Sequence, residues 1–219
     1  MTGYQVHDDG PLADVPTSRA VEGRETVFQG MVWDVTRDAF RMAPDTPVLR
    51  REYISHPGAV AVVALDEAQR VCLIRQYRHP VGQELWEIPA GLLDMDGESM
   101  LQAAQRELAE EADLTAARWD VLVDFFTTPG SSSEGIRIYL ARELDAVPEQ
   151  DRHEREGEEA GMPLTWEPLT EVVQAVLDGR IHNPSICLGV LAAQAQATTD
   201  FAGLRPADAP WTDHPRERT

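Results

Sequence analysis

Hydrophobic residues fall first into short alternating runs, then into one helical repeat, then into short runs again. ETVFQG, MVWDV, AFRM and VLRREYIS, between Glu25 and Ser55, mix apolar and polar positions and are separated by polar or proline-bearing breaks. That pattern predicts short antiparallel strands. Two almost wholly apolar segments follow, GAVAVVAL from Gly58 to Leu65 and VCLIRQY from Val71, with DEAQR between them. They predict a central hairpin whose strands are buried on both faces.

Beyond ELWEIPAGLLD, helical spacing runs from Ser99 to Ala112, and Ser99 with Gln102 fits a capping box. WDVLVDFF and GIRIYLAREL predict two strands flanking the turn TTPGSSSE, and MPLTWEPL an edge strand. LTEVVQAVLDG predicts a helix closed by Gly179. A further helix is expected from Pro184 to Thr198, capped by Asn183, with Pro184 in the first turn where its missing N–H costs nothing. The organisation expected is a flexible arm over 1–22, a β region over 23–56, a principal domain over 57–200 and an extended tail over 201–219.

Composition then removes several classes of function. With 42% hydrophobic residues in 219, the chain can bury a sizeable core. A net charge of -19 repels a phosphate backbone, so nucleic acid is not an expected partner. All 19 basic residues are arginine. The longest apolar run is far below membrane-spanning length, and MTGYQVHDDG lacks the basic-then-apolar plan of a signal peptide, so a cytoplasmic protein without a membrane partner is expected. Cys72 and Cys187 are expected as buried free thiols rather than a disulfide framework. The histidines do not cluster, and no Ser/His/Asp or Cys/His arrangement stands out, which disfavours a covalent enzyme intermediate.

The strongest candidate chemistry is RELAEEADL, residues 106 to 114. At helical spacing Glu107, Glu110 and Glu111 share an arc of about 100° beside the apolar arc of Leu101, Ala104 and Leu108. Like charges so placed cost about 0.2–0.5 kcal/mol per pair, more when desolvated, and a divalent cation removes that cost. A solvated acidic face is the plain alternative for such a cluster. Against it stand Arg106, able to orient a carboxylate, and the glycine-bearing loop WEIPAGLLDMDGE, able to bring backbone carbonyls to the same place. Oxygen ligands alone suit Mg²⁺ or Mn²⁺ rather than Zn²⁺.

GLLDMDGESMLQAAQRELAEEADL, Gly91 to Leu114, resembles the signature of the Nudix hydrolases: Arg106, Glu107, Leu108, Glu110, Glu111 and Leu114 match, and Glu98 lies eight positions before Arg106. Two departures are visible: one extra residue between Gly91 and Glu98, and Asp113 where the family has a glycine. Asp accepts a left-handed backbone less readily than Gly.

The resemblance implies an α/β fold, an α/β/α sandwich with a mixed sheet. It also implies two or more Mg²⁺ ions per site, with Mn²⁺ a possible substitute, held by Glu107, Glu111, Glu110 and the Ala90 carbonyl, and Arg106 orienting the carboxylates. RQYRHPVGQELWEIPAGLLD and Pro129, fifteen residues after Leu114, look like the ADP-ribose pyrophosphatase branch. By that likeness Arg51 and Arg78 contact the adenine or diphosphate, Glu87 accepts hydrogen bonds from base or ribose, and the Ser133–Glu134 turn holds the terminal ribose. Trp33 and Trp86 are stacking candidates, though a tryptophan of this kind is more often a core or interface aromatic. Glu159, or Glu158, matches the branch's loop base, and the small N-terminal antiparallel sheet is expected to be swapped in a homodimer. The activity implied is Mg²⁺-dependent hydrolysis of ADP-ribose to AMP and ribose 5-phosphate. Two alternatives stand beside it: a hydrolase of another nucleotide sugar, such as GDP-mannose, or of an oxidised nucleoside triphosphate, and a noncatalytic ADP-ribose sensor.

Overall fold

The computed structural model describes residues 12–155 and 160–215. In chain order the strands and helices are β1 (Val21–Phe28), β2 (Asp34–Phe40), β3 (Leu49–Ser55), β4 (Ala59–Ala64), β5 (Arg70–Arg78), β6 (Gln83–Glu87), β7 (Ala90–Leu92), α1 (Met100–Ala112), β8 (Leu114–Phe126), β9 (Gly135–Ala146), β10 (Leu164–Pro168), α2 (Leu169–Leu177), α3 (Pro184–Ala197) and β11 (Arg205–Pro206).

The layering follows from β4, which is buried at every position. Successive side chains of a strand point to opposite faces. Ala59, Ala61 and Val63 therefore enter one core with Leu169 and Val172 of α2 and Ile186, Val190 and Ala193 of α3. Val60, Val62 and Ala64 enter a second core with Ala103, Ala104 and Leu108 of α1. One strand thus holds helices on both sides, which is the expected α/β/α sandwich. Gly189 of α3 lets that helix close on β4: a Cβ there would lie 2.8 Å from Val63 Cγ2.

The main sheet has the order β11-β8-β9-β4-β7. It is mixed, because β4 runs parallel to β9 while β7 and β8 pair antiparallel with β4 and β9. The hairpin expected between GAVAVVAL and VCLIRQY forms its turn but not its ladder. A single bridge, Leu65 to Val71, joins the two strands, after which β5 leaves for a second sheet of order β10-β5-β6. Both edges of β4 are already taken by β9 and β7, so no edge is left for β5.

The N-terminal strands form a third sheet, β1-β2-β3. The break expected between MVWDV and AFRM does not exist. Its polar residues are cross-strand partners: Arg24 donates to both Asp38 carboxylate oxygens, and Arg37 bonds Glu25 and Glu52. Every residue of β1 is exposed. The helices end as their sequences direct: the Ser99–Gln102 capping box is complete, Asn183 accepts from the Ser185 and Ile186 N–H groups, and Gly179 is left-handed. Cys72 is buried, whereas Cys187 is only partly so.

Candidate active site

The helix α1 carries the acidic cluster at the margin of its apolar face, with Glu107 and Glu111 buried beside Ala104 and Leu108. Two contacts tie that face to β7. The Ala90 N–H donates to Glu111 Oε2 at 2.8 Å. Gly91 leaves room for the Glu107 carboxylate, which a Cβ at that position would overlap. The glycine of the motif is thus required by close approach of a side chain to the strand.

Arg106 is the hub of the cluster. It forms a forked pair with Glu98, Nε to Oε1 at 3.0 Å and Nη2 to Oε2 at 3.1 Å. Its Nη1 donates to Glu107 Oε1 at 2.6 Å and to Glu110 Oε2 at 3.2 Å. The hydrogen bond to Glu98, reinforced by Glu107 and Glu110, raises the Arg106 pKa above the ordinary guanidinium value. Among the described residues no three His, Cys, Asp or Glu side chains are grouped so as to hold a metal ion as they stand. The carboxylates are instead drawn towards Arg106. The donor set still fits a hard divalent cation: it is all oxygen, and two of its carboxylates are buried.

The substrate-side candidates divide into groups. Arg78 and Glu87 form a bidentate pair, Nε to Oε1 at 2.8 Å and Nη2 to Oε2 at 2.7 Å, with Glu87 buried. Both oxygens of Glu87 therefore already face a guanidinium. Arg51 is exposed on β3 and donates Nη1 to the Arg50 carbonyl. Trp86 carries the Arg75 guanidinium 5.2 Å above its ring, and Trp33 is exposed. The Ser133 hydroxyl accepts from the His56 N–H at 2.9 Å. Glu134 accepts from the Thr127 hydroxyl at 2.7 Å and has its Oε1 3.5 Å from His56 Nε2. The turn is fastened to β3 as well: the Ile54 N–H donates to the Ser131 carbonyl at 2.9 Å, and the Ile54 carbonyl accepts from the Ser133 N–H at 3.0 Å. Glu158 and Glu159 lie outside the described residues.

A family profile described as the NUDIX domain matches residues 55–186, more than half the chain and all of the glutamate cluster. The chain belongs to the NUDIX family. A Mycobacterium tuberculosis protein named ADP-ribose pyrophosphatase is 45% identical over 191 residues, covering 87% of this chain and 90% of that one. A Bacillus subtilis protein of the same name is 32% identical over 152 residues, 69% of this chain and 81% of that one. Among solved structures, one described as an ADP compounds hydrolase superposes with a TM-score of 0.69 at 20% identity, covering 86% of this chain and 98% of that one; it supports the Nudix fold alone.

Several residues in contact with the candidates in this Nudix chain were not singled out from sequence. His56 links Ser133, Glu134 and Gly58, whose N–H donates to His56 Nδ1 at 3.0 Å. Thr127 holds Glu134 from the opposite side of the turn. Arg155 donates Nη2 to Asp113 Oδ2 and Nε to the Glu110 carbonyl. Only the last had a signal, the unusual aspartate in the motif's glycine position. The left-handed conformation is real there, with φ 55° and ψ 37°.

Proposed function

We propose that this chain hydrolyses the diphosphate bond of ADP-ribose, releasing AMP and ribose 5-phosphate. The observation that carries the reading is the 45% identity, over 87% of this chain and 90% of the other, to a protein named ADP-ribose pyrophosphatase. The intact acidic cluster on α1 supports turnover rather than a sensor role.

In this reading Glu107, Glu110, Glu111 and the Ala90 carbonyl hold two or more Mg²⁺ ions, with Mn²⁺ able to substitute. When bound, such ions neutralise the diphosphate and lower the pKa of water. Arg106 keeps the carboxylates together by charge and would orient them towards such an ion. Arg78 and Arg51 offer forked donors to phosphate oxygens, which guanidinium groups suit better than a point charge does. Glu87 and the Ser133–Glu134 turn receive hydroxyl and amine donors of the substrate. Glu159, or Glu158, takes the proton of the attacking water.

The functional unit we propose is a homodimer joined through the N-terminal sheet. Its support is the exposure of all of β1 together with Phe28, Met31, Val32 and Trp33. An apolar cluster of that kind on a sheet and its turn is more often covered than left in water.

The test is a substrate panel with Mg²⁺, in which ADP-ribose, GDP-mannose, NADH and an oxidised dGTP are followed by chromatography. EDTA-sensitive release of AMP and ribose 5-phosphate from ADP-ribose alone is the expected result. Preference for another member of the panel would reassign the substrate. Binding of ADP-ribose without turnover of any compound would favour the sensor reading.

A further inference from the structure

The C-terminal segment after β11 does not hang free. It returns to the main sheet, where Trp211 and His214 lie at the starts of β4 and β9 beside the substrate-side turn. His214 is buried and stands between Gly58 and Gly135. A Cβ on Gly58 would lie 2.6 Å from His214 Nε2, and one on Gly135 would lie 2.8 Å from His214 Cδ2 and 3.0 Å from the Trp211 ring. Gly58 has φ +92°, so backbone conformation alone would call for glycine there. Gly135 is not among the positive-φ residues. Its missing side chain serves to admit His214 and Trp211.

The segment is seated by more than one contact. Trp211 meets His214 edge-on, with ring centres 4.8 Å apart, and packs on Phe126 at 5.6 Å. Phe126 is the residue paired with Gly135 across β8 and β9. Arg137, two residues into β9, donates Nη1 to the Ala209 carbonyl at 2.6 Å and lies over the Trp211 ring. Its remaining donors grip Asp124, which also receives Arg205.

From Gly58, beside which His214 sits, a chain of two hydrogen bonds leads to the Ser133–Glu134 turn and a single one leads to the end of β7. Gly58 donates its N–H to His56 Nδ1, and His56 donates its own N–H to Ser133 Oγ. Because Nδ1 accepts, the neutral ring of His56 carries its proton on Nε2, towards Glu134 Oε1 at 3.5 Å. On the other side the Gly58 carbonyl accepts from the Leu93 N–H at 3.0 Å, immediately after β7 with Ala90 and Gly91. Gly135 itself follows Glu134 directly in the chain.

We propose that Trp211 and His214 are positioning residues of the active site, a wedge from the C-terminal segment that sets the Ser133–Glu134 turn through Gly58, Gly135 and His56. This rests on the reading that the turn holds part of the substrate. The wedge packs on Gly58, just before β4, and on Gly135, the first residue of β9. Its removal therefore weakens substrate binding more than the chemical step, since the carboxylates on α1 keep their own supports in Arg106 and Ala90.

The experiment compares His214→Ala, His214→Gln and Gly135→Ala with the parent, using whichever substrate the panel selects. KM, kcat, thermal unfolding and amide hydrogen exchange over residues 131–135 are measured together. His214→Ala and Gly135→Ala are expected to raise KM roughly tenfold with kcat changed by less than about threefold, and to speed exchange in the turn. In the parent His214 Nε2 lies 3.4 Å from the Gly135 carbonyl, and His214→Gln, which can still place a nitrogen there, is expected to restore most of the loss in KM. A lower unfolding temperature with KM and turn exchange unchanged would overturn the proposal and leave a purely structural role. Glu134→Gln is run alongside. If it raises KM while His214→Ala does not, the wedge fails and the site reading stands. If Glu134→Gln leaves KM unchanged, the turn does not meet the substrate, and the site reading falls with the proposal.

Discussion

Arg155 reaches back over forty residues of sequence to Asp113, its Nη2 2.7 Å from Asp113 Oδ2, while its Nε caps the Glu110 carbonyl at 2.8 Å. A left-handed non-glycine residue costs about 1–2 kcal/mol, and a charge-assisted bond to a partly buried carboxylate offsets a similar amount. The departure from the family's glycine is therefore matched by an arginine at the helix C-terminus, where a cation is favoured. Arg155→Ala is expected to lower unfolding free energy by about 1–2 kcal/mol. Asp113→Gly, which loses the pair but relaxes the backbone, should fall within about 1 kcal/mol of the parent. Urea unfolding of the two single variants and the double variant measures the coupling. Additive losses would show that the pair contributes nothing.

Gly91→Ala is expected to reduce turnover by more than about tenfold, because its methyl group displaces the Glu107 carboxylate from β7. Steady-state kinetics over a range of Mg²⁺ concentrations checks this, and parental kinetics at every concentration would contradict the placement of Glu107.

Glu111→Gln keeps an oxygen for the Ala90 N–H but removes the charge. Turnover should drop by more than about a hundredfold while circular dichroism stays that of the parent. Full activity in that variant would refute the metal assignment.

Burial pushes the Cys72 thiol up from an ordinary 9.0 to about 12. A group whose pKa is raised by folding contributes stability that is complete below the unfolded value and lost as pH rises through the folded one. The parent should therefore lose stability between pH 9 and 12 faster than Cys72→Ala, which has no thiol to ionise. Urea midpoints measured for both at about pH 8 and about pH 11 test it. A constant gap between the two would show that the thiol contributes no pH dependence.

The acidic site was legible because its chemistry is local. Glu107, Glu110, Glu111 and their arginine lie within six residues of one helix, and the capping box that starts this helix is itself a four-residue signal. The pairing of β4 was not legible. An unbroken apolar run announces burial on two faces but carries no mark of which strands take its edges, so the nearest apolar neighbour suggested a hairpin that long-range pairing prevents. His214 gave still less warning. It sits among prolines and acids in a segment that reads as extended, and its burial depends on two glycines more than seventy residues away.

The ion pairs at Asp38, Glu87, Asp113, Asp124 and in the α1 cluster share a trait that the absence of lysine imposes: each has a guanidinium on its cationic side. Guanidinium stays charged at any pH a cell encounters. Only the acidic partners can be titrated away, so these pairs are vulnerable on the acid side alone. Acetylation, ubiquitin conjugation and amine-directed cross-linking likewise find no lysine side chain to modify anywhere in the sequence.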